Sequence, residues 1–325
     1  MNQEPNKKIP YSNPALTIDQ QVTLLKEKEL IVADEQSASF WLSHISYFRF
    51  KQYSYSFKDY ENHDGHYIEG TTFEMIRDLY TFDRKLRMIL FEAIENIEIS
   101  VKTAISNIMT IAHGPHWYMD ANLFFSEEER RQIVKNAKAK EDIPVAFEHA
   151  EFLNDVEYET KYRPEIYLQH YYKTYTPSHP PSWIMMEIIT FGTLSNMIEN
   201  MKPSDQKNAI CESFGLTKKH FVSWMHSFSF IRNKCAHHAR LVFAKINFAP
   251  SLPQKKSRQF LNEADLVEND TLYAVIACAQ YMLRVCNPAS AFKKDILKLA
   301  DTYTMIDYEA LGFTPEWRSD PFWTE

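Results

Sequence analysis

A guanidinium, an amide and an imidazole occur close together in the C-terminal half of this sequence, on Arg232, Asn233 and His237. A second imidazole follows on His238, and a second guanidinium on Arg240. Imidazole exchanges protons near neutral pH, and a guanidinium binds phosphate through paired hydrogen bonds. These groups therefore suit RNA cleavage without a metal ion, in which a 2′-hydroxyl loses a proton, a 5′-oxygen gains one and the phosphate charge is stabilised.

The spacing of these residues predicts that they share one surface. Asn233, His237 and Arg240 stand at i, i+4 and i+7, which is one face of an α-helix, with Arg232 at its edge. The spacing alone is not specific, because Arg-x(4–6)-His also occurs over residues 163–170. The alternative interpretation is a helix with a buried, hydrogen-bonded histidine and a solvated basic face.

The motif lies within a basic segment of an acidic protein. No Asp or Glu occurs from Ser213 to Asn262, whereas the whole chain has a net charge of −7. The segment's basic residues are Lys218, Lys219, Arg232, Lys234, Arg240, Lys245, Lys255, Lys256 and Arg258. Local positive charge in an acidic chain favours binding of a polyanion at one place. The residues predicted to contact RNA here are Lys218, Lys219, Lys234, His238 and Arg240.

Composition argues against several other classes of protein. Only 6 glycines occur in 325 residues, and no GxGxxG or GxxxxGK[ST] run is found, so a nucleotide-binding α/β fold is poorly supported. The 4 cysteines are widely spaced, which argues against a disulfide framework or a zinc cage. The N-terminus lacks the apolar core of a signal peptide, and no long apolar run follows. We expect a cytoplasmic protein without a membrane segment, a metal ion or a cofactor.

The elements that must position the motif are helices, because helical periodicity runs through nearly the whole chain. The strongest signal extends from Thr71 to His113, without Pro or Gly, and ends at Gly114-Pro115. Its apolar residues recur every three or four positions, which predicts a long amphipathic spine helix. They are Leu86, Leu90, Ile94, Ile97, Val101, Ala104, Ile108 and Ile111. We predict an all-α fold built on this spine.

Shorter helices are predicted on both sides of the spine. Thr17 and Gln20 have the spacing of a capping box, and Thr217 is the expected N-cap of the basic helix. One helix is predicted over residues 37–50, with Phe40 and Phe48 facing mostly inward. The predicted domains are an N-terminal helical extension over 1–70, a helical domain over 71–290 with an insertion near 120–165, and a C-terminal tail over 291–325.

Other residue groups have ordinary structural explanations. Glu92, Glu95 and Glu98 could suggest a metal site, but no Glu-x-x-His accompanies them, which favours a solvated or ion-paired helix face. Cys235 with the two neighbouring histidines could bind zinc, but a second ligand pair is missing. Aromatic residues of the basic helix could stack on bases, although helical spacing favours the core. These are Phe221, Trp224, Phe228 and Phe230.

The motif and its context resemble a known family. Residues 232–241 are similar to the signature Arg-Asn-x-x-Ala-His-His-x-Arg-Leu of the Abi-like abortive-infection proteins, which belong to the HEPN superfamily. Further segments resemble the family in the same order along the chain. They are residues 11–14, 20–22, 45–49, 79–87, 94–99, 181–187 and 191–195. The resemblance implies a HEPN-like helical bundle.

The resemblance also implies roles for individual residues. Arg232, Asn233 and His237 correspond to the HEPN catalytic set, with Arg232 as phosphate clamp, Asn233 as orienting amide and His237 as acid or base. HEPN ribonucleases usually pair two such motifs at a dimer interface, so the single copy here implies a homodimer. Lys102 lies on the long helix where the family pattern would favour Arg, and we predict it as a further RNA contact.

The implied function is an endoribonuclease of bacterial phage defence, which leaves a 2′,3′-cyclic phosphate and a 5′-hydroxyl. Its expected partners are RNA, a second copy of the chain, and an antitoxin protein or small RNA that silences it. Two alternatives stay open. One is a non-catalytic RNA-binding regulator, and the other is a nucleotide-binding partner of a nucleotidyltransferase.

Overall fold

Helix-forming periodicity produces an all-α fold, which confirms the predicted fold class. The computed structural model describes residues 10–60, 65–137, 145–253, 260–262 and 264–324. These residues contain fourteen α-helices and one short antiparallel ribbon, β1 (Lys58–Asp59) with β2 (His66–Tyr67). The chain divides into two compact units, Met1–Asp83 and Arg84–Glu325. The predicted division at residue 70 stays a prediction.

The first unit contains α1 (Ile18–Glu27), α2 (Glu35–Ile45), α3 (Tyr47–Ser54) and the start of α4 (Phe73–His113). The capping box predicted for α1 is present, because Thr17 accepts from the Gln20 backbone while the Gln20 side chain accepts from the Thr17 backbone. In the core of this unit, the rings of Phe50 and Phe73 stack 4.6 Å apart. The hydroxyl of Tyr53 donates to the buried carboxylate of Asp83 at 2.7 Å.

The single helix predicted over residues 37–50 is wrong, because the chain breaks at Ser46. The φ angle of Ser46 is 67°, which ends α2, and its side chain then accepts from the Arg49 backbone to cap α3. Two side chains that were expected to face mostly inward, one on each side of the break, lie in solvent. Phe40 is 64% exposed and Phe48 is 74% exposed.

The predicted spine is α4, a helix of 41 residues that ends where the sequence predicted. Gly114 follows it with a φ angle of 87°, a conformation that glycine adopts without cost. The apolar stripe is buried from Leu86 to Val101, and then continues through Ile105 and Met109. Ile111 is 89% exposed, because the stripe drifts around the helix and the predicted positions leave the core.

The second unit continues with ten further helices among the described residues. They are α5 (Glu127–Asn136), α6 (His149–Tyr162), α7 (Ile166–Thr174), α8 (Ser182–Ile188), α9 (Phe191–Asn200), α10 (Asp205–Ser213), α11 (Lys218–Ala236), α12 (Leu272–Cys286), α13 (Phe292–Thr302) and α14 (Pro321–Thr324). Every residue of α12 from Leu272 to Leu283 is buried. A helix that is buried on all sides forms the centre of a core, and α11 packs against both α12 and α9.

The residues predicted as a C-terminal tail contain α13 and α14 and contribute to this core. Phe313, Trp317 and Trp323 are buried, and the indole of Trp323 donates to the hydroxyl of Tyr273 at 2.9 Å. None of the helices in the described ranges is long and apolar enough to cross a membrane.

Candidate nucleic-acid interface

The basic helix α11 begins as predicted and buries its aromatic face. The Thr217 hydroxyl accepts from the His220 backbone, which makes Thr217 the N-cap. Phe221, Trp224 and Phe228 are fully buried, so they belong to the core and cannot stack on bases. With one face of α11 fixed in the core, the polar residues of its last turn must lie on the opposite, outer face.

The helix ends at Ala236, one residue before His237. His237 is therefore the C-cap, and its backbone N–H donates to the Asn233 carbonyl at 3.0 Å. The predicted arrangement of Asn233, His237 and Arg240 on one helical face is wrong, since Arg240 lies beyond the helix. Asn233 and His237 nevertheless remain exposed neighbours at this end of α11.

A tight turn links the helix end to the following segment. His238 has a φ angle of 55°, and its N–H donates to the Cys235 carbonyl at 3.1 Å. The N–H of Ala239 donates to the Lys234 carbonyl at 2.9 Å. These two bonds form a Schellman motif, in which the left-handed position usually belongs to glycine. The turn redirects the chain, so that His237 and His238 both lie exposed at its outer edge.

Arg232 and Asn233 interact directly through their side chains. Nη1 of Arg232 donates to Oδ1 of Asn233 at 3.3 Å, and the guanidinium carbon lies 6.0 Å from the ring centre of Phe91 on α4. Neither contact neutralises the guanidinium charge. The guanidinium, the amide and the imidazole thus occur within the last turn and cap of one helix.

The turn is supported by Arg87, a residue of the spine helix α4. Arg87 of α4 is buried, and its Nη1 donates to the Ala239 carbonyl at 3.2 Å. A partner 152 residues away leaves no local signal in the sequence, so only the tertiary structure reveals this contact.

Lys102 is held by protein groups on the same helix and on a neighbouring segment. Its ammonium lies 2.8 Å from a carboxylate oxygen of Glu98 and donates to the Ile189 carbonyl at 2.8 Å. Its side chain is 14% exposed. This geometry favours a structural role for Lys102 and does not support the predicted RNA contact. It agrees with the ion-paired interpretation of Glu98.

The positive charges of α11 lie at its two ends. Lys218 and Lys219 are exposed in the first turn, about 20 Å along the axis from Arg232. Between them the segment around Ser251 covers the helix, since the Ser251 carbonyl accepts from the Trp224 indole at 2.8 Å. Burial lowers the pKa of His220, which also contacts Ser251, so this histidine adds little charge at neutral pH. A single phosphate cannot contact both ends.

The basic segment continues after Arg240 with four more basic residues. Lys245 is exposed, whereas Lys255, Lys256 and Arg258 lie outside the described residues. Cys235 is buried while both neighbouring histidines are exposed, which removes it as a shared zinc ligand. In the part of the chain that the structure describes, no three His, Cys, Asp or Glu side chains are grouped to hold a metal ion.

Comparison with known proteins identifies the family. A family model described as Abi-like protein matches residues 40–242, which is more than half of the chain. The chain belongs to the Abi-like family. The match runs through the whole segment from Arg232 to Leu241, confirms the resemblance seen in the sequence, and is consistent with membership of the HEPN superfamily. The Abi-like family suggests a role in abortive-infection phage defence. No curated protein and no solved structure shows significant similarity to this chain.

Proposed function

We propose that this Abi-like protein is a metal-independent endoribonuclease of phage defence, with its catalytic groups at the C-terminal end of α11. The observation that carries the proposal is the grouping of Arg232, Asn233 and His237 within one turn and its cap. Asn233 and His237 are exposed there, so a substrate can reach them.

Each group has a defined task in this proposal. The RNA 2′-hydroxyl attacks the adjacent phosphorus after losing its proton, and the 5′-oxygen leaves after gaining one, which yields a 2′,3′-cyclic phosphate and a 5′-hydroxyl. His237 transfers one of these protons. Arg232 stabilises the charge that develops on the phosphate, and Asn233 orients it. Because carbonyl dipoles at a helix C-terminus repel anions, cationic side chains must hold the phosphate. Lys234 and Arg240 supply further positive charge.

One histidine in each chain cannot act as both acid and base at the same moment. We propose that a second copy of the chain, or His238, supplies the other proton-transfer group. The exposed position of His237 at the end of α11 is compatible with either source. An antitoxin protein or a small RNA would silence the enzyme until infection. Lys218 and Lys219 would contact more distant phosphates of a bound strand.

The test is cleavage of a labelled RNA pool in EDTA by wild type, Arg232→Ala and His237→Ala. Two exposed residues provide matched controls, Arg84→Ala and His113→Ala. We expect cyclic-phosphate ends with wild type and both controls, and a loss of at least about 100-fold in rate for the two motif variants, because proton transfer and charge stabilisation each contribute about that factor or more.

The other outcomes distinguish the alternatives. Intact RNA bound tightly by wild type, without cleavage in EDTA or with added magnesium, would contradict the enzyme and favour an RNA-binding regulator. Binding of a mononucleotide in preference to RNA would favour a partner of a nucleotidyltransferase. Equal cleavage by wild type and His237→Ala would exclude His237 from the chemistry.

A further inference from the structure

The N-terminal unit contains a surface pocket that the proposed cleavage reaction does not use. Its volume is about 750 Å³, within the range of about 300–1,000 Å³ that is common for small-ligand sites. The segment before α1, α1 itself and the start of α3 form its walls. Residues that bear on its chemistry are Tyr11, Gln21, Lys28, Tyr47, Phe48 and Lys51.

Aromatic rings in this pocket face solvent. Tyr11 is 86% exposed and Phe48 is 74% exposed, while Tyr47 lies beside Phe48 with the ammonium of Lys51 at 5.8 Å from its ring centre. Large exposed apolar side chains grouped around one concavity mark a binding surface. Aromatic rings next to cations are the elements on which single-stranded nucleic acids stack their bases.

Positive charge is concentrated beside these rings. Lys28 and Lys51 line the pocket. A Cβ atom added to Gly65 would lie 3.8 Å from Nζ of Lys28 and 3.9 Å from Nζ of Lys58, so these two ammonium groups are neighbours. Burial lowers the pKa of Lys58, and the charges of Lys28 and Lys51 lower it further. A bound anion would relieve this mutual repulsion.

The polar groups of the pocket fit a base and a phosphate better than an isolated inorganic anion. Oε1 of Gln21 is buried without a hydrogen-bond partner in the described part of the chain, so the N–H group of a base would meet this acceptor only after the Gln21 side chain turns toward the pocket. Glu27 also lines the pocket and would repel a bare anion. The sequence has no glycine-rich phosphate loop, which a free nucleotide would usually require.

We propose that this pocket binds one nucleotide of a single-stranded RNA, with its base stacked on the exposed ring of Phe48 and its phosphate held by Lys28 and Lys51. Stacking combined with flexible cations tolerates many sequences, which suits a site that holds a strand and does not select one. The proposal concerns binding alone and does not depend on cleavage at Arg232 or His237.

Binding is measured with the full-length chain carrying His237→Ala, so that RNA stays intact whether or not the protein is a ribonuclease. The probe is a 5′-fluorescein-labelled 12-mer of uridine, followed by fluorescence anisotropy. Phe48→Ala and Lys51→Ala are compared with Phe40→Ala and Lys26→Ala, which change exposed residues of the same unit outside the pocket.

We expect Phe48→Ala to weaken binding at least about fivefold, because loss of one stacked base costs that much or more. Lys51→Ala should reduce the slope of log K against log salt by about 0.7, since one phosphate contact is lost. Both controls should bind like the parent. A 12-mer containing 4-thiouridine should crosslink to a peptide that includes Phe48.

Three results would overturn the proposal. The first is equal affinity of the pocket variants and their controls, together with no crosslink in the segment from Tyr47 to Lys51. The second is the absence of RNA binding by the parent protein. The third is displacement of the 12-mer by AMP at the same nucleotide concentration, which would assign the pocket to a free nucleotide.

Discussion

His238 occupies a backbone conformation that is costly for any residue with a Cβ atom. Its φ angle of 55° falls at the left-handed position of the turn that ends α11, where glycine is the usual residue. The cost is about 1–2 kcal/mol for an ordinary side chain. A strained residue directly beside a candidate catalytic histidine motivates the hypothesis that the imidazole of His238 has a function which offsets its cost.

Two substitutions of His238 separate the backbone from the side chain. Both His238→Gly and His238→Ala remove the imidazole, but only alanine retains a Cβ atom in the left-handed conformation. We therefore expect the glycine variant to be more stable than the alanine variant by about 1 kcal/mol, measured by urea unfolding. Equal stability of the two variants would show that the turn relaxes to another conformation.

Catalysis by the same two variants tests the function of the imidazole. If His238 supplies the second proton-transfer group, both variants should lose at least about 100-fold in cleavage rate, irrespective of their stability. If the partner subunit supplies that group, His238→Gly should cleave nearly as fast as wild type. Rates are compared at saturating RNA, so that a change in binding does not hide the result.

At the scale of secondary-structure elements, helix starts were predictable and helix ends were less so. Thr17 and Thr217 cap the helices that they were expected to begin, because an N-cap is a local side-chain bond with a clear signal in the sequence. The break at Ser46 and the end of α11 were missed. Both use a residue other than glycine at positive φ, which the sequence does not reveal.

The candidate site was predictable only in part, because some of its contacts join residues that are far apart in the chain. Arg232 and Asn233 are adjacent in the chain, so their contact follows from the sequence alone. Arg87 reaches Ala239, and Lys102 reaches the Ile189 carbonyl, over 152 and 87 residues of chain respectively. Such contacts depend on how the helices pack, and a single sequence contains no direct record of packing.

The start of α12 depends on a glycine in a distant loop. Thr271 is the N-cap of this central helix, and a Cβ atom added to Gly312 would lie 2.3 Å from its Cβ. Gly312 also has a φ angle of 89°. The substitution Gly312→Ala should therefore strain the backbone and displace Thr271 at the same time.

Gly114→Ala provides the control for this prediction, because Gly114 has a φ angle of 87° with nothing within 4 Å of the added Cβ. Both substitutions place alanine at a positive φ angle, which costs a similar free energy in each case. Only Gly312→Ala also brings the new Cβ into a clash with Thr271. We expect Gly312→Ala to be less stable than Gly114→Ala by about 1–3 kcal/mol in urea unfolding. A smaller loss at Gly312 would mean that the loop moves away without affecting α12.

At the scale of the whole molecule, one buried charge affects how stability depends on pH. Lys207 of α10 is 7% exposed, and its ammonium donates to the carbonyls of Glu199 and Met201 at the end of α9. Burial lowers the pKa of Lys207 to about 8, even though the ammonium group keeps its hydrogen bonds to these two carbonyls. The unfolded chain has no such burial and retains the ordinary lysine pKa near about 10.4.

The sign of the effect follows from proton binding. Between about pH 8 and pH 10.4 the unfolded state holds the Lys207 proton more tightly than the folded state, so this residue makes the free energy of unfolding rise with pH. Below about pH 8 the lysine is charged in both states, so the stability that the protein gains at high pH, where Lys207 is neutral, is lost. The full difference is on the order of 3 kcal/mol. Tyr67 and Tyr308 act in the opposite direction above about pH 10, because burial raises the pKa of each to about 12.

Comparison with Lys207→Met isolates the lysine from these tyrosines, since they titrate equally in both proteins. We expect the stability of wild type minus that of the variant to rise by on the order of 3 kcal/mol from pH 7.5 to pH 10.5, measured by urea unfolding at several pH values. The absolute difference at any one pH also includes the carbonyls left without a donor, so only the slope is diagnostic. A flat difference would mean that Lys207 reaches water in the folded protein, and that the ends of α9 and α10 open without global unfolding.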